Sequence, residues 1–146
     1  MICGAGGSPQ SFVSDNGRLD PVGDFLATGL NASGQVIGFR ATPLPDMQGL
    51  LWQDGTLRDV GDEQRPMLPL GINDRGHVVG STVIAAGEEH AAEWSGGALR
   101  DLNDAIPPDS AWQLRRAVSI NNAGLIVGDG RWNGEATAFL LTASPP

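Results

Sequence analysis

A single cysteine, two histidines and nine basic side chains are all that 146 residues provide of these types. Each scarcity closes off a class of protein. One cysteine excludes an internal disulfide. Nine Lys and Arg against 17 Asp and Glu leave a net charge of −8. That balance argues against a nucleic-acid surface, which concentrates basic groups, and against a basic patch on anionic lipid. No uncharged apolar run approaches the roughly 18 residues of a membrane span. The opening "MICGAGGSPQ" lacks the basic and apolar regions of a secretory signal. No segment keeps a helical period over three turns. What is abundant is glycine, with 21 residues, and proline, with 10. Without a collagen period, that composition predicts many turns and short strands. The length suits one compact domain, 1–146, able to bury a core without covalent staples.

The chain repeats itself. "LNASGQVIG" at 30–38, "INDRGHVVG" at 72–80 and "INNAGLIVG" at 120–128 form one motif. "FVSDNGRLDPVG" at 12–23, "LLWQDGTLRDVG" at 50–61 and "AEWSGGALRDLN" at 92–103 form a second, and "FLLTASPP" at 139–146 begins a fourth copy. The second motif recurs at spacings of 38 and 42, the first at 42 and 48. Such drift fits strands of fixed length joined by loops of varying length. Ile2, Cys3 and Gly4 align with Val36-Ile37-Gly38, so the chain is expected to begin part-way through a repeat. Full units are placed at 12–49, 50–91 and 92–138, with partial ones at 1–11 and 139–146.

Each motif reads as a hairpin. Asn16-Gly17, Asp54-Gly55 and Gly96-Gly97 supply the positive φ that tight two-residue turns demand. Asn31, Asn73 and Asn121 precede the turns of the first motif, where a short amide can bond the backbone just ahead. The β-branched pairs after these turns suit strands. The predicted fold class is therefore all-β, a propeller-like repeat of four-stranded antiparallel units. About fourteen strands are predicted, where four complete blades need roughly sixteen. A distorted four-blade closure, an open arc of a larger ring and a homodimer completing partial blades all stay open.

In these motifs the chain resembles the HAF repeat proteins, a bacterial, extracellular family named for a His-Ala-Phe triplet preceding Leu-Trp. "HAAEW" at 90–94 keeps His90, Ala91 and Trp94 but has Ala92 at the Phe place. "TAFLL" at 137–141 keeps Ala138, Phe139 and Leu140, and "QGLLW" at 48–52 keeps Leu51 and Trp52. "INNAGLIVG" is nearly the full family phrase. The resemblance covers essentially the whole chain. It implies a repeat β-fold and an extracellular or periplasmic location, and it carries over no catalytic residue.

Chemistry-bearing residues are few. The three asparagine turns resemble calcium loops, but they offer one carboxylate, Asp74, where Ca²⁺ takes six to eight oxygens; turn stabilisation is expected instead. His77 falls at a variable repeat place. "EEH" at 88–90 lacks the spacing that puts metal ligands on one face, so His90 is predicted in a solvated loop. Cys3 matches Ile37, Val79 and Val127 and is expected to pack as a small hydrophobe. "GAGGSP" at 4–9 completes no dinucleotide fingerprint, and there is no Gly-x-Ser-x-Gly elbow. No catalytic residue, metal or cofactor is expected. Arg58-Asp59 and Arg100-Asp101 are predicted to be edge charges. Trp52 and Trp94 share one repeat place and are predicted to pack between units. Trp112 and Trp132 match no repeat place and are predicted in loops, Trp132 beside Arg131 and Asn133. Exposed rings flanked by polar groups suit a protein or carbohydrate ligand. The expected function is a non-enzymatic binding or scaffolding module. The competing readings are a glycan-active propeller enzyme, whose carboxylate pair is a spacing in three dimensions, and a structural section of a larger exported protein.

Overall fold

The computed structural model describes residues 11–40, 47–84 and 87–142. Cys3, its aligned neighbours and the 4–9 glycine run lie outside them, as does the end of the 139–146 partial repeat. The described chain is all-β, with thirteen strands and one 3₁₀ turn at Leu102–Ala105. β1 (Ser11–Asp15) and β2 (Arg18–Gly23) form a hairpin. β3 (Leu26–Leu30), β4 (Val36–Arg40), β5 (Gln48–Gln53) and β6 (Thr56–Val60) make a four-stranded antiparallel sheet in sequence order. β7 (Met67–Ile72), β8 (Val78–Val83), β9 (Glu89–Ser95) and β10 (Ala98–Asp101) make a second. β11 (Trp112–Ile120), β12 (Ile126–Trp132) and β13 (Glu135–Leu141) make a three-stranded sheet. Each four-stranded sheet holds one copy of both motifs: the first sits at the β3–β4, β7–β8 and β11–β12 connections, the second at β1–β2, β5–β6 and β9–β10.

The turn dipeptides adopt the predicted geometry. Asn16 and Gly17 have φ of 48° and 84°, Asp54 and Gly55 of 49° and 84°, and Gly96 and Gly97 of 58° and 87°. Two successive positive φ values define the turn whose twist matches that of the strands it joins. The last glycine of the first motif has a different task. A Cβ at Gly38, Gly80 or Gly128 would run into the carbonyl oxygen of Leu26, Leu68 or Arg116 on the neighbouring strand. Glycine therefore permits close backbone approach there. Beside it the first strand of each sheet is bulged, at Thr28, Leu70 and Val118, which increases local twist.

One apolar cluster lies at each junction between consecutive sheets. Val22 packs with Phe25, Val36 and Leu50, and Trp52 closes over them. Ile37, Leu51 and Val60 pack against Met67, Val78, Ala92 and Trp94. Val79, Ala91 and Leu102 pack against Leu114, Ala117, Ile120, Ile126 and Phe139. Trp52 and Trp94 thus sit at sheet junctions, and Arg58 of β6 lies 5.5 Å from the centroid of the Trp94 ring, within reach of a cation–π contact.

The asparagine turns add a polar seam to the same junctions. Asn31 Oδ1 accepts from the Ser33 and Gln35 main-chain N–H groups at 3.1 and 3.0 Å. Asn73 accepts likewise from Arg75 and His77, and Asn121 from Ala123 and Leu125. The amide nitrogens reach forward: Asn31 Nδ2 donates to the Asn73 carbonyl at 2.9 Å, and Asn73 Nδ2 to the Asn121 carbonyl at 3.1 Å. One residue on, the Ala32 N–H donates to Asp74 Oδ1 and the Asp74 N–H to Asn122 Oδ1, each at 2.8 Å. Asp74 Oδ2 also accepts from the Asn122 amide. The Asn122 amide and the Ala32 N–H together hold the Asp74 carboxyl below its ordinary pKa.

Candidate functional site

The three-stranded sheet ends in a tryptophan pair. Trp112 opens β11 and Trp132 closes β12, and they are direct cross-strand partners. Both lie in strands, which corrects the loop placement expected from sequence. Their ring centroids are 6.5 Å apart with planes 39° to each other, a tilted arrangement favourable for aromatic pairs. Trp112 leans on the Leu102–Leu114–Phe139 cluster, whereas Trp132 is 51% exposed. Below them the chain turns at Asn133 and Gly134, with φ of 50° and 81°. The Asn133 N–H donates to the Ala111 carbonyl at 3.0 Å, tying this turn to the residue before β11. Of the four residues singled out in the sequence, Trp112, Trp132 and Asn133 come together. Arg131 pairs with Gln113 instead, and strand alternation sends it to the opposite face. Asn133-Gly134 is the signal that reading missed: Asn-Gly between two runs marks a hairpin and puts Trp132 at a strand end.

Behind the pair lies a chain of polar contacts. His90 lies in β9, with a side chain 16% exposed. The solvated-loop expectation is therefore corrected: a strand facing Asp101 draws the ring inward. His90 Nδ1 is 2.6 Å from Asp101 Oδ2, and the Asp101 side chain is only 12% exposed. It is no surface charge, unlike Arg58 and Asp59 on the edge strand β6. Asp101 Oδ1 accepts from the Asn103 N–H and amide. Asn103 then clasps β11, accepting from the Leu114 N–H and donating to the Leu114 carbonyl, both at 2.8 Å. Burial alone pushes the Asp101 carboxyl up; the hydrogen bonds from His90 and Asn103 outweigh it and hold the carboxyl below its ordinary value. The clasp ends two residues from Trp112, so it fixes the start of β11 and the ring it carries.

Other acidic groups are engaged in local structure. An open depression of about 960 Å³ is lined by Gln48, Gly49, Asp59, Asp62 and Glu63 among others. Asp59 there accepts from the Gln48 amide. Asp62 caps its own turn through the Gln64 and Arg65 N–H groups and pairs with the Arg65 guanidinium. His77 lies 3.3 Å from Glu93. Among the described residues no three His, Cys, Asp or Glu side chains gather as metal ligands would, and no helix is long and apolar enough to cross a membrane. Compared with family models, with curated proteins and with solved structures, the chain finds no match.

Proposed function

We propose that the chain is a propeller-like repeat domain of the HAF type, extracellular or periplasmic, and that it acts as a non-enzymatic binding or scaffolding module. Consecutive antiparallel sheets with one apolar cluster per junction support the propeller arrangement, because a blade buries its faces on its neighbours. The observation that carries the binding reading is the tryptophan pair. Trp132 presents half its surface to solvent while Trp112, the Asn133 turn and the Asn103 clasp hold it in place. A pre-positioned ring costs little ordering entropy when a sugar face or a protein side chain stacks on it. The ligand is a carbohydrate or a protein surface. Asp74, Asp101 and Asp62, by contrast, have their oxygens occupied by structural bonds.

The test is a titration of tryptophan emission against a panel of soluble glycans, with product analysis on the same mixtures. Saturable binding without turnover is expected. Trp132→Ala is expected to weaken it at least about tenfold, equal to about 1.4 kcal/mol. Glycan cleavage, or binding indifferent to Trp132→Ala, would overturn this reading.

A further inference from the structure

The strand β13 has one edge paired with β12 and, among the described residues, no strand on its other edge. In the two four-stranded sheets the same place is taken: β5 pairs with β6 and β9 with β10. Those outer strands are short, five and four residues, and carry the exposed charges Arg58, Asp59 and Arg100. Short, charged edges resist pairing with foreign strands. β13 is seven residues long, and from Ala136 to Leu141 it has no charge and no proline. The face beside this edge is apolar as well. Val127 and Leu140 are cross-strand partners, 45% and 60% exposed. They occupy the places of Ile37 and Leu51, which the next sheet buries almost completely.

The hydrogen-bonding phase of the free edge follows from the turn. Asn133 and Gly134 form a two-residue turn between Trp132 and Glu135, so Glu135 bonds Trp132 across the ladder. By alternation Thr137, Phe139 and Leu141 also bond β12, and the main-chain groups of Ala136, Ala138 and Leu140 face outward.

We propose that β13 is an assembly edge whose occupant is β13 of a second copy, paired antiparallel about a two-fold axis at Ala138. In that register Ala138 faces its own counterpart and Ala136 faces Leu140, so all the outward main-chain groups bond and each leucine lies over an alanine. The two three-stranded sheets become one of six strands. Such an interface is isologous and closes at the dimer. It carries no like-charge contact along its central five residues, whatever the net charge of each chain. This assembly is independent of the ligand reading above.

Light scattering behind a sizing column, over a range of concentrations, is expected to give twice the mass of one chain, dissociating on dilution. Ala138→Pro removes an outward N–H without touching the bonds to β12 and is expected to give a monomer with unchanged circular dichroism. Ala138→Cys, in a Cys3→Ser background, is expected to form an interchain disulfide on oxidation, because residues opposed in a bonded pair lie about 5.5 Å apart between Cα atoms. Ala136→Cys, opposite Leu140, is expected not to cross-link. The cysteine pair decides the matter should Ala138→Pro unfold. A wild-type monomer at all concentrations overturns the proposal. So does a dimer indifferent to Ala138→Pro, equal cross-linking at 136 and 138, or an Ala138→Cys thiol shielded from alkylation in a monomer, which would place a segment of the same chain on the edge.

Discussion

At the scale of single residues, the asparagines of the turns carry more than their surroundings advertise. Asn73 is 4% exposed, and its side chain makes three hydrogen bonds, two within its own turn and one to the Asn121 carbonyl. Replacing it with alanine leaves two main-chain N–H groups and a carbonyl short of partners. The expected loss is about 2–4 kcal/mol, since each buried group left unpaired costs about 1–3 kcal/mol. Asn121 is exposed, so Asn121→Ala is expected to cost about 1 kcal/mol, with water replacing the amide. Urea midpoints of the two variants check the ordering. Gly80 gives a different test. Its Cβ would meet the Leu68 carbonyl, a backbone atom that cannot swing away, and Gly80→Ala is expected to destabilise by about 1–3 kcal/mol as an overpacked site does. The carboxyls of Asp74 and Asp101 contribute to the acid limb of stability, as do Asp24 beside Arg40 and Asp62 beside Arg65. All four are held below the ordinary value in the folded chain. Their contribution is complete above the unfolded carboxylate value, about 4, and is lost as pH falls through the lower folded value. Urea midpoints between about pH 7 and 2.5 are therefore expected to hold steady from these groups and then fall below about pH 4. In Asp101→Asn that fall should be shallower.

The elements were largely legible in the sequence, and the reason is local. A two-residue turn needs positive φ at both positions, so Asn16-Gly17, Asp54-Gly55 and Gly96-Gly97 announce hairpins whatever surrounds them. The β-branched pairs after each asparagine turn became β4, β8 and β12 for the same reason. What stayed hidden depends on the neighbouring sheet. Nothing in "INDRG" discloses that the Asn73 amide reaches Asn121, 48 residues on. Nor does "LRDLN" disclose that Asp101 meets His90 across the ladder while Asn103 clasps Leu114. The candidate site was half legible: two unaligned tryptophans were visible as oddities, but their direct pairing is a register fact. The clasp itself is testable at this scale. Asn103→Ala is expected to cost about 2 kcal/mol through the unpaired Leu114 groups and to shift Trp112 emission, read out by fluorescence during urea unfolding.

For the whole molecule, burial divides the chain unevenly. β8 has five buried residues of six and contributes Val78 to one junction cluster and Val79 to the next. Among the described residues, the β1–β2 hairpin contributes Val22 alone to a cluster. Protection of main-chain amides follows the stability of the unit that must open. Hydrogen exchange is expected to be slowest in β8 and β9 and fastest in β1 and β2, with a difference of at least about a hundredfold. Uniform exchange across all sheets would contradict the junction picture.

The seam of asparagines has a further consequence, for how such a chain lengthens or shortens. Its two steps share one pattern: an amide pointing forward to the next asparagine carbonyl, and a main-chain N–H pointing forward to the following side-chain oxygen, a carboxylate at Asp74 and an amide at Asn122. Excising the middle period, so that the Asn31 turn abuts the Asn121 turn, would set Asn31 Nδ2 before the Asn121 carbonyl and the Ala32 N–H before Asn122 Oδ1. Both forward bonds would find a substitute of the same kind, and the bond from the Asn122 amide to Asp74 Oδ2 would be the one lost. The seam thus specifies who follows whom only by type, so duplication or deletion in whole units keeps its forward bonds. The seam therefore leaves the number of units open, and each added turn would offer the amide before it another carbonyl in place of water.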